Sequence, residues 1–175
     1  MLMFEEQLLV DIPDSFQEME KIKIDMLYPY DEKPQIILED KEHRFCTFSL
    51  LENQILTDSQ VESAIQTILK VVTSLYPSSL LEEPQLMNCR GGTYGWISFR
   101  TAAAEGEIFN VMYIFSVNGC MMLGTMGCLA EDESGKKQMF EIMESLRNLR
   151  KKFSYAISGR AQYSQKNERD RGKTM

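Results

Sequence analysis

Apolar and polar residues alternate in short runs along much of the chain, while two longer stretches repeat with helical spacing. A period of two is typical of strands, whereas apolar residues at i, i+3 and i+4 indicate a helix with one buried face. In residues 21–27, for example, Ile22, Ile24 and Met26 alternate with polar neighbours. Short strands are predicted at residues 7–11, 21–27, 35–39, 43–51, 80–90 and 95–101. The pattern therefore predicts a protein of mixed helix and strand content, with many strands and two main helices.

Each predicted helix has one apolar face. The first helix begins at Thr57, which forms a capping box with Gln60, and it ends at Pro77. The second is predicted from about Asp132 to Lys152, with an apolar face that ends at Phe153. The face of the first helix comprises Val61, Ala64, Ile65, Ile68, Leu69, Val72, Leu75 and Tyr76. Both faces need a sheet to cover them.

Asn118-Gly119 is the strongest local signal in the chain, since it joins two apolar-rich runs of strand length. Both residues tolerate the positive φ that a type I′ hairpin turn requires. A two-residue turn places Val117 opposite Cys120 and Phe115 opposite Met122, and the register makes both faces of the hairpin largely apolar. A hairpin with one wet face would alternate cleanly. We therefore predict an α+β fold, a three-layer α/β/α sandwich with a central antiparallel sheet and two main helices.

A second hairpin is predicted at Glu105-Gly106. If that turn also has two residues, Trp96 faces Phe115 and Arg100 faces Val111, which places the tryptophan and the arginine on the same side of the sheet. Trp, Tyr and Arg are enriched at interface hot spots. The sequence thus gives Tyr94, Trp96 and Arg100 as candidate partner-binding residues. The alternative for Trp96 is a place under a helix, because most single tryptophans pack in the core.

Methionines are frequent in the predicted meander and the second helix. Such residues form either an adaptable surface for different partners or a methionine-rich core between sheet and helix, and we favour the core. The residues concerned are Met112, Met121, Met122, Met126, Met139 and Met143.

Charge divides the 175 residues unevenly. Residues 1–146 hold 24 Asp and Glu against 10 Lys and Arg, whereas residues 147–175 hold 2 against 9. We expect a single folded domain over residues 1–153 and a basic, disordered tail over residues 154–175. The acidic domain is unsuited to nucleic acid, because phosphates must be neutralised by Lys and Arg. The tail is either a solvating extension or a segment that contacts RNA, a membrane surface or the acidic domain itself.

Candidate catalytic chemistry is sparse. His43 is the only histidine, and the cysteines at 46, 89, 120 and 128 lack the spacing of a metal site. The turn Gly91-Gly92-Thr93-Tyr94-Gly95 lacks the Lys-Ser/Thr ending of a phosphate-binding loop and leads into a strand. Paired carboxylates such as Glu82-Glu83 are typical of solvated loops. We therefore expect no catalytic residue, no metal and no cofactor.

Neither a secretory signal nor an apolar run of membrane-spanning length is expected, and scattered cysteines are usual for reduced thiols. The expected location is cytoplasmic.

The order of elements resembles that of the PsbP and DcrB-like families, whose superfamily includes the nuclear-import factor that acts on Ran. The resemblance covers about residues 5–150 and rests on Ile12-Pro13-Asp14-Ser15-Phe16, the Tyr28-Pro29 and Lys33-Pro34 breaks, and the meander through Trp96-Ile97-Ser98-Phe99. It implies an antiparallel sheet flanked by helices, and binding or assembly rather than catalysis. It assigns no binding residue.

The expected function is a non-enzymatic protein-binding module, adaptor or chaperone-like, such as a secretion or assembly factor. Two alternatives stay open. One is a small-ligand-binding protein or a hydrolase with carboxylates in a pocket between sheet and helix. The other is a structural subunit of a homo-oligomer.

Overall fold

The computed structural model describes residues 1–29, 31–77, 79–89 and 91–149. Its helices are α1 (Lys21–Leu27), α2 (Val61–Leu75, preceded by a 3₁₀ turn at Asp58–Gln60) and α3 (Glu133–Glu144). Its strands are β1 (Leu2–Met3), β2 (Leu8–Leu9), β3 (Gln17–Glu18), β4 (Ile36–Glu39), β5 (Phe45–Ile55), β6 (Leu80–Leu81), β7 (Gln85–Cys89), β8 (Gly92–Ala103), β9 (Gly106–Val117), β10 (Cys120–Leu129) and β11 (Arg147–Asn148). No helix in these ranges is long and apolar enough to cross a bilayer. The predicted tail, residues 154–175, lies outside the described residues.

The main sheet is antiparallel and has the strand order β3-β4-β5-β10-β9-β8-β6, with β7 also paired to β8. The hairpin of β9 and β10 has the predicted register, with Val117 opposite Cys120 and Phe115 opposite Met122. Asn118 and Gly119 have φ angles of 52° and 85°, as a type I′ turn requires. The local turn chemistry therefore determined the central pair of strands correctly.

The turn between β8 and β9 is not at Glu105-Gly106. Ala103 pairs with Gly106, so Ala104-Glu105 form the two-residue loop and the register differs by two residues from the prediction. Trp96 consequently faces Tyr113, and Arg100 faces Phe109. Since strand side chains alternate with a period of two, a shift of two residues changes each partner but leaves each side chain on its predicted face.

Helix α2 covers one face of the sheet over β8 and β9. Gln60 Oε1 accepts the backbone N–H of Thr57 at 3.0 Å, as the predicted capping box requires. Val61, Ile65 and Val72 are buried against Ile97 and Ile114 of the sheet. The last turn of α2 extends beyond this cluster and leaves its apolar side chains exposed.

Helix α3 covers the other face. Met139, Ile142 and Met143 of α3 are buried in one cluster with Tyr113 and Phe115 of β9. A second, three-stranded sheet, β1-β2-β11, adds its buried side chains to the same cluster. The two clusters on opposite faces of one antiparallel sheet confirm the three-layer α+β architecture.

A buried arginine fixes the start of α3 on the sheet. Asp132 is the N-cap of α3 and accepts the Gly135 N–H at 2.8 Å. The same carboxylate accepts Nε and Nη2 of buried Arg44 at 2.6 and 3.1 Å. The hydrogen bond from Arg44, more than any other contact, lowers the pKa of Asp132. Arg44 thus joins the beginning of β5 to the helix.

Helix α3 ends at Glu144, so the prediction that it reaches Lys152 was wrong. Ser145 Oγ donates to the Ile142 carbonyl and accepts the Asp11 N–H, which turns the chain out of the helix. The following residues pair as β11 with β2, and residues 150–153 lie outside the described ranges. Leu146 lies between α3 and β11 and is buried, so its apolar side chain continues the predicted helical face although the helix has already ended.

Residues 21–27 form a helix, not the predicted strand. In α1, Ile22 and Met26 are 75% and 77% exposed, so the alternating pattern marks no buried sheet face. The sheet edge beside β4 is already occupied by β3. Without a neighbouring strand to pair with, this segment satisfies its backbone hydrogen bonds internally as a helix.

Two other predicted strands have different bounds. Residues 80–90 divide into β6 and β7 around Pro84, and both strands pair with β8 at the edge of the sheet. The residue range 43–51 becomes β5, which begins only at Phe45, because His43 lies in an exposed turn with φ of 62°.

The six methionines of the meander and of α3 are buried or partly buried. Met122, Met126, Met139 and Met143 are buried, whereas Met112 and Met121 are partly buried against the cluster under α2. This confirms the core interpretation for the four buried methionines.

Candidate functional site

The face of the main sheet that carries α2 is only half covered. Helix α2 packs against β8 and β9, so it leaves the side chains of β5 and β10 on this face only partly covered. Depressions lie here on both sides of Phe45 and at the far end of β5. A sheet that is wider than the helix on it thus creates grooves.

The first depression, which we call the aromatic groove, has a volume of about 790 Å³. It lies between Tyr28, which follows α1, and the end of α2 at Leu75 and Tyr76. Its lining comprises Tyr28, Phe45, Leu75, Tyr76, Pro77, Ser79, Phe99, Arg100, Thr101, Ala102, Asn110, Met112 and Thr125. Its size falls in the range typical of ligand sites, roughly 300–1,000 Å³.

Aromatic rings form two walls of this groove. Tyr76 stacks on Phe99 with ring centroids 5.8 Å apart and an angle of 27° between the planes. Burial raises the pKa of Tyr28, and Tyr76 contributes to the same shift from across the groove. The Tyr28 phenol therefore stays neutral at physiological pH and can donate a hydrogen bond to an occupant.

The floor of the aromatic groove is polar but uncharged. Asn110 Nδ2 donates to Thr101 Oγ1 at 3.0 Å, and the hydroxyls of Thr47 and Thr125 are 2.7 Å apart. Among the described lining residues there is no Asp, Glu, His or Cys. This lining can hold an apolar segment and hydrogen-bond its backbone, whereas it offers no carboxylate or imidazole as a general base.

Apolar side chains at the rim remain exposed. Leu75 is 66% exposed and Tyr76 is 45% exposed. Neighbouring exposed apolar residues beside a groove mark interaction surfaces more often than a scattered leucine does.

A smaller pocket of about 330 Å³ lies between α1 and the sheet, and we call it the α1 pocket. It shares Tyr28 and Phe45 with the aromatic groove. Glu39 in its wall forms an ion pair with Lys23, so this carboxylate is already neutralised. The remaining lining is Met19, Leu27, His43, Glu105, Ile108 and Leu129.

Tyr94, Trp96 and Arg100 share the face of the sheet opposite the aromatic groove, although the Arg100 side chain also lines that groove. Tyr94 is fully buried: its ring stacks on Phe115 at 4.6 Å, and its hydroxyl donates to the Leu146 carbonyl at 2.5 Å. In this arrangement Tyr94 presents no surface to a partner. Its side chain instead holds the end of α3 against the sheet.

Trp96 and Arg100 share one face, as predicted. Trp96 is partly buried and meets Phe140 of α3 edge-on at 5.0 Å, so it lies beside a helix as the alternative proposed. Arg100 is exposed and pairs with Glu107 at 3.0 Å. It also reaches the rim of the aromatic groove. Partner binding by Trp96 and Arg100 stays a prediction.

Sequence reasoning missed the aromatic groove itself. One usable signal was the apolar face of α2, which continues to Leu75 and Tyr76 directly before Pro77. The contributions of Tyr28 and Phe45 had no local signal, because α1 was assigned as a strand and only the fold brings Phe45 into the same groove as Tyr76.

Two of the cysteines, Cys46 and Cys128, are poor nucleophiles. Burial raises the pKa of Cys46 to about 12 and that of Cys128 to about 11, so both thiols are protonated at neutral pH. Within the described ranges, no group of three or more His, Cys, Asp or Glu residues is placed to hold a metal ion.

The backbone resembles solved structures of low sequence identity. CyanoP, the cyanobacterial PsbP of Synechocystis sp. PCC 6803, superposes with a TM-score of 0.59 at 11% identity, over 85% of this chain and 91% of CyanoP. The Saccharomyces cerevisiae Ran-binding protein Mog1p gives 0.53 at 10% identity, over 85% of this chain and 93% of Mog1p. The chain has the fold of PsbP and Mog1p.

A Bacteroides thetaiotaomicron protein gives a TM-score of 0.57 at 11% identity, over 86% of this chain and 48% of its own length. No protein-family model and no curated protein matches the sequence. The superpositions on solved structures confirm, for the fold, the resemblance predicted from the order of elements.

Proposed function

We propose that this protein is a non-enzymatic binding module, an adaptor or chaperone-like factor, that holds an apolar segment of another protein in the aromatic groove. The observation that supports this proposal is the groove itself, an open depression of about 790 Å³ on the sheet. Its walls are formed by Tyr28, Phe45, Tyr76 and Phe99. Apolar side chains in such a groove gain free energy when a partner removes them from water.

Two further features support binding over catalysis. The described lining lacks carboxylate, imidazole and thiol groups, which acid–base or covalent catalysis would need. The fold neighbours include Mog1p, a Ran-binding protein, so this fold is used for protein binding elsewhere. That neighbour gives precedent for the class of function and does not identify the partner of this chain.

The proposed compartment is the cytoplasm. Free thiols at Cys46, Cys120 and Cys128 support this, since disulfides are rare in reducing compartments.

Site-specific photocrosslinking tests the proposal. A benzoylphenylalanine at Tyr76 probes the groove, and the same residue at Leu86 is a matched control, because the two native side chains are 45% and 46% exposed. In cells of the source organism, the probe at residue 76 should capture a defined protein that the probe at 86 does not. Identical captures from both positions, or none from residue 76, would contradict the proposal.

A charged substitution provides the second arm. Leu75→Lys places an ammonium at the groove rim and should reduce capture by the probe at residue 76 at least severalfold. Ile55→Lys is the control, because Ile55 is 78% exposed and lies outside the groove. Both variants change exposed side chains, so their melting temperatures should stay within a few degrees of the parent. Equal loss of capture in both variants would indicate a nonspecific charge effect.

A second candidate function is binding of a small ligand in the α1 pocket. Its volume of about 330 Å³ and the Lys23–Glu39 pair beside apolar walls favour this. A ligand found by thermal-shift screening should raise the melting temperature of the parent and fail to raise that of Lys23→Met. An equal rise for both proteins would place the ligand elsewhere.

A further inference from the structure

A third depression, which we call the acidic groove, lies at the opposite end of β5 from Phe45. It has a volume of about 800 Å³ and is bounded by residues 31–35 on one side and residues 49–54 on the other. Leu51 and Leu123 give it an apolar base. It lies beyond the end of β4, where β5 has no paired strand on this side.

The polar lining of this groove is mostly acidic. Asp31, Glu32 and Glu52 are exposed, while Lys33, the one basic lining residue, is already paired with Asp25. The lining therefore carries excess negative charge over an apolar base, and a complementary occupant has basic and apolar side chains together.

A side chain makes some of the backbone hydrogen bonds at the edge of this groove. Gln35 Oε1 accepts the Leu50 N–H at 2.7 Å, and Gln35 Nε2 donates to the Leu50 carbonyl at 3.4 Å. One glutamine thus takes the place of a strand residue beside β5. The edge beyond it, at residues 52–54, faces solvent.

The described chain ends close to this end of the sheet. Leu149 donates its N–H to the Gln7 carbonyl at 2.8 Å, and the Gln7 side chain accepts from Asn118 at 3.0 Å. The adjoining Gly119 carbonyl accepts the N–H of Leu56, directly after β5. Leu149 is therefore linked to the end of β5 by a short series of hydrogen bonds that passes through Gln7 and the Asn118-Gly119 turn.

The sequence after Leu149 has the chemistry that the acidic groove lacks. Residues 150–175 hold 8 Lys and Arg against 2 Asp and Glu, and they open with Arg-Lys-Lys-Phe-Ser-Tyr-Ala-Ile. A basic–acidic contact of the same kind already exists at the base of this segment, where Arg147 meets Asp11 at 3.6 Å. We propose that residues 150–157 bind in the acidic groove of the same chain, with the basic side chains at the carboxylates and the apolar ones over Leu51 and Leu123.

The length of the segment permits this contact along the strand direction: eight extended residues span about 25 Å, and Leu51 lies four residues before Ile55, about 13 Å along the strand. Because the segment belongs to the same chain, its effective concentration is far above that of a free peptide, which favours even a weak electrostatic contact. This interaction is independent of the aromatic groove, which lies at the other end of β5.

Photocrosslinking in the full-length chain tests the proposal. Benzoylphenylalanine replaces Phe153, and an equal mixture of ¹⁵N-labelled and unlabelled protein separates links within one copy from links between copies. Crosslinks to residues 31–35 or 49–54 within one copy are expected. The double variant Asp31→Asn/Glu52→Gln should lower their yield about two- to fivefold per charge removed. Added salt should also lower it.

The control is Glu83→Gln, an exposed carboxylate between β6 and β7 at the opposite edge of the sheet, which should leave the yield unchanged. Three results would overturn the proposal: crosslinks to other surfaces, crosslinks mainly between copies, or an equal yield in the double variant and the parent. Since the side chains of Asp31, Glu52 and Glu83 are exposed, loss of folding does not account for a lowered yield, and the melting temperature verifies this.

Discussion

Two glycines of β10 offer a matched test of the packing. A Cβ at Gly124 would lie 2.1 Å from Cζ of Tyr113, whereas a Cβ at Gly127 would lie 2.3 Å from Cε1 of Phe45. The contacts are equally close, but the two rings differ in surroundings. Tyr113 is fully buried between the sheet and α3, while Phe45 is partly exposed and borders the aromatic groove. We therefore expect Gly124→Ala and Gly127→Ala to change the free energy of unfolding by amounts that differ in sign or size.

The magnitude follows from two opposing effects. Alanine in a strand interior gains about 0.5–1 kcal/mol over glycine, because the unfolded chain loses freedom. Overpacking a closed core costs about 1–3 kcal/mol, since the displaced ring has no space to move into. Gly124→Ala should thus destabilise the protein by about 0.5–2 kcal/mol. In Gly127→Ala the Phe45 ring moves into the groove, so the change should lie between zero and about 1 kcal/mol of stabilisation.

Chemical denaturation measures both free energies of unfolding, and thermal melts should separate the variants by roughly 2–4 °C per kcal/mol. The crosslinking assay at residue 76 adds a second readout, since the displaced Phe45 ring narrows the aromatic groove and should reduce capture only in Gly127→Ala. Equal destabilisation of the two variants would refute the assignment of a closed site at Gly124 and an open one at Gly127.

Three further predictions concern charge and thiols. Arg44→Met should cost about 3 kcal/mol in chemical denaturation because it leaves the Asp132 carboxylate without its buried partner, whereas exposed Arg100→Met should cost less than about 1 kcal/mol. The folded-state pKa of Asp132 is below the ordinary value of 3.8, so its contribution is present above that pH and lost as the pH falls below it. Asp132→Asn should therefore reduce the loss of unfolding free energy below about pH 4. If the slope of unfolding free energy against pH is unchanged, Asp132 does not contribute to that loss. Iodoacetamide at pH 8 should label partly exposed Cys120 before buried Cys46 and Cys128, as mass spectrometry would show. With a pKa of about 12, Cys46 should react on the order of a thousandfold more slowly than in the unfolded chain.

The central hairpin was predictable because its information is local. Asn118 and Gly119 tolerate the left-handed backbone of a type I′ turn, and the period of two then assigns every side chain on both strands to a face. The second hairpin was misplaced by one residue for the same reason: Ala104-Glu105 carries no such chemistry, and the adjacent Gly106 drew the prediction toward it. The side chains were still assigned to the correct faces of the sheet, because a displacement of the turn by one residue changes the register by two.

The candidate site was much less predictable. The face of Trp96 and Arg100 followed from the strand period, but the packing of Trp96 on Phe140 depends on where α3 crosses the sheet. Tyr94 has the residue type of an interface hot spot, yet its hydroxyl serves the Leu146 carbonyl inside the core. Residue type alone therefore does not separate a binding aromatic from a core aromatic.

By itself the sequence determined the hairpin register, the capped start of α2 and the need for a helix on each face, because turn chemistry and apolar periodicity act over a few neighbouring residues. Only the tertiary structure decided that residues 21–27 are helical and that α2 covers half of its face. Whether a segment pairs as a strand depends on a free sheet edge, and β3 occupies the one beside β4. Likewise, the aromatic groove exists because the sheet is wider than α2. That width is set by pairing between strands distant in sequence, which no local pattern records.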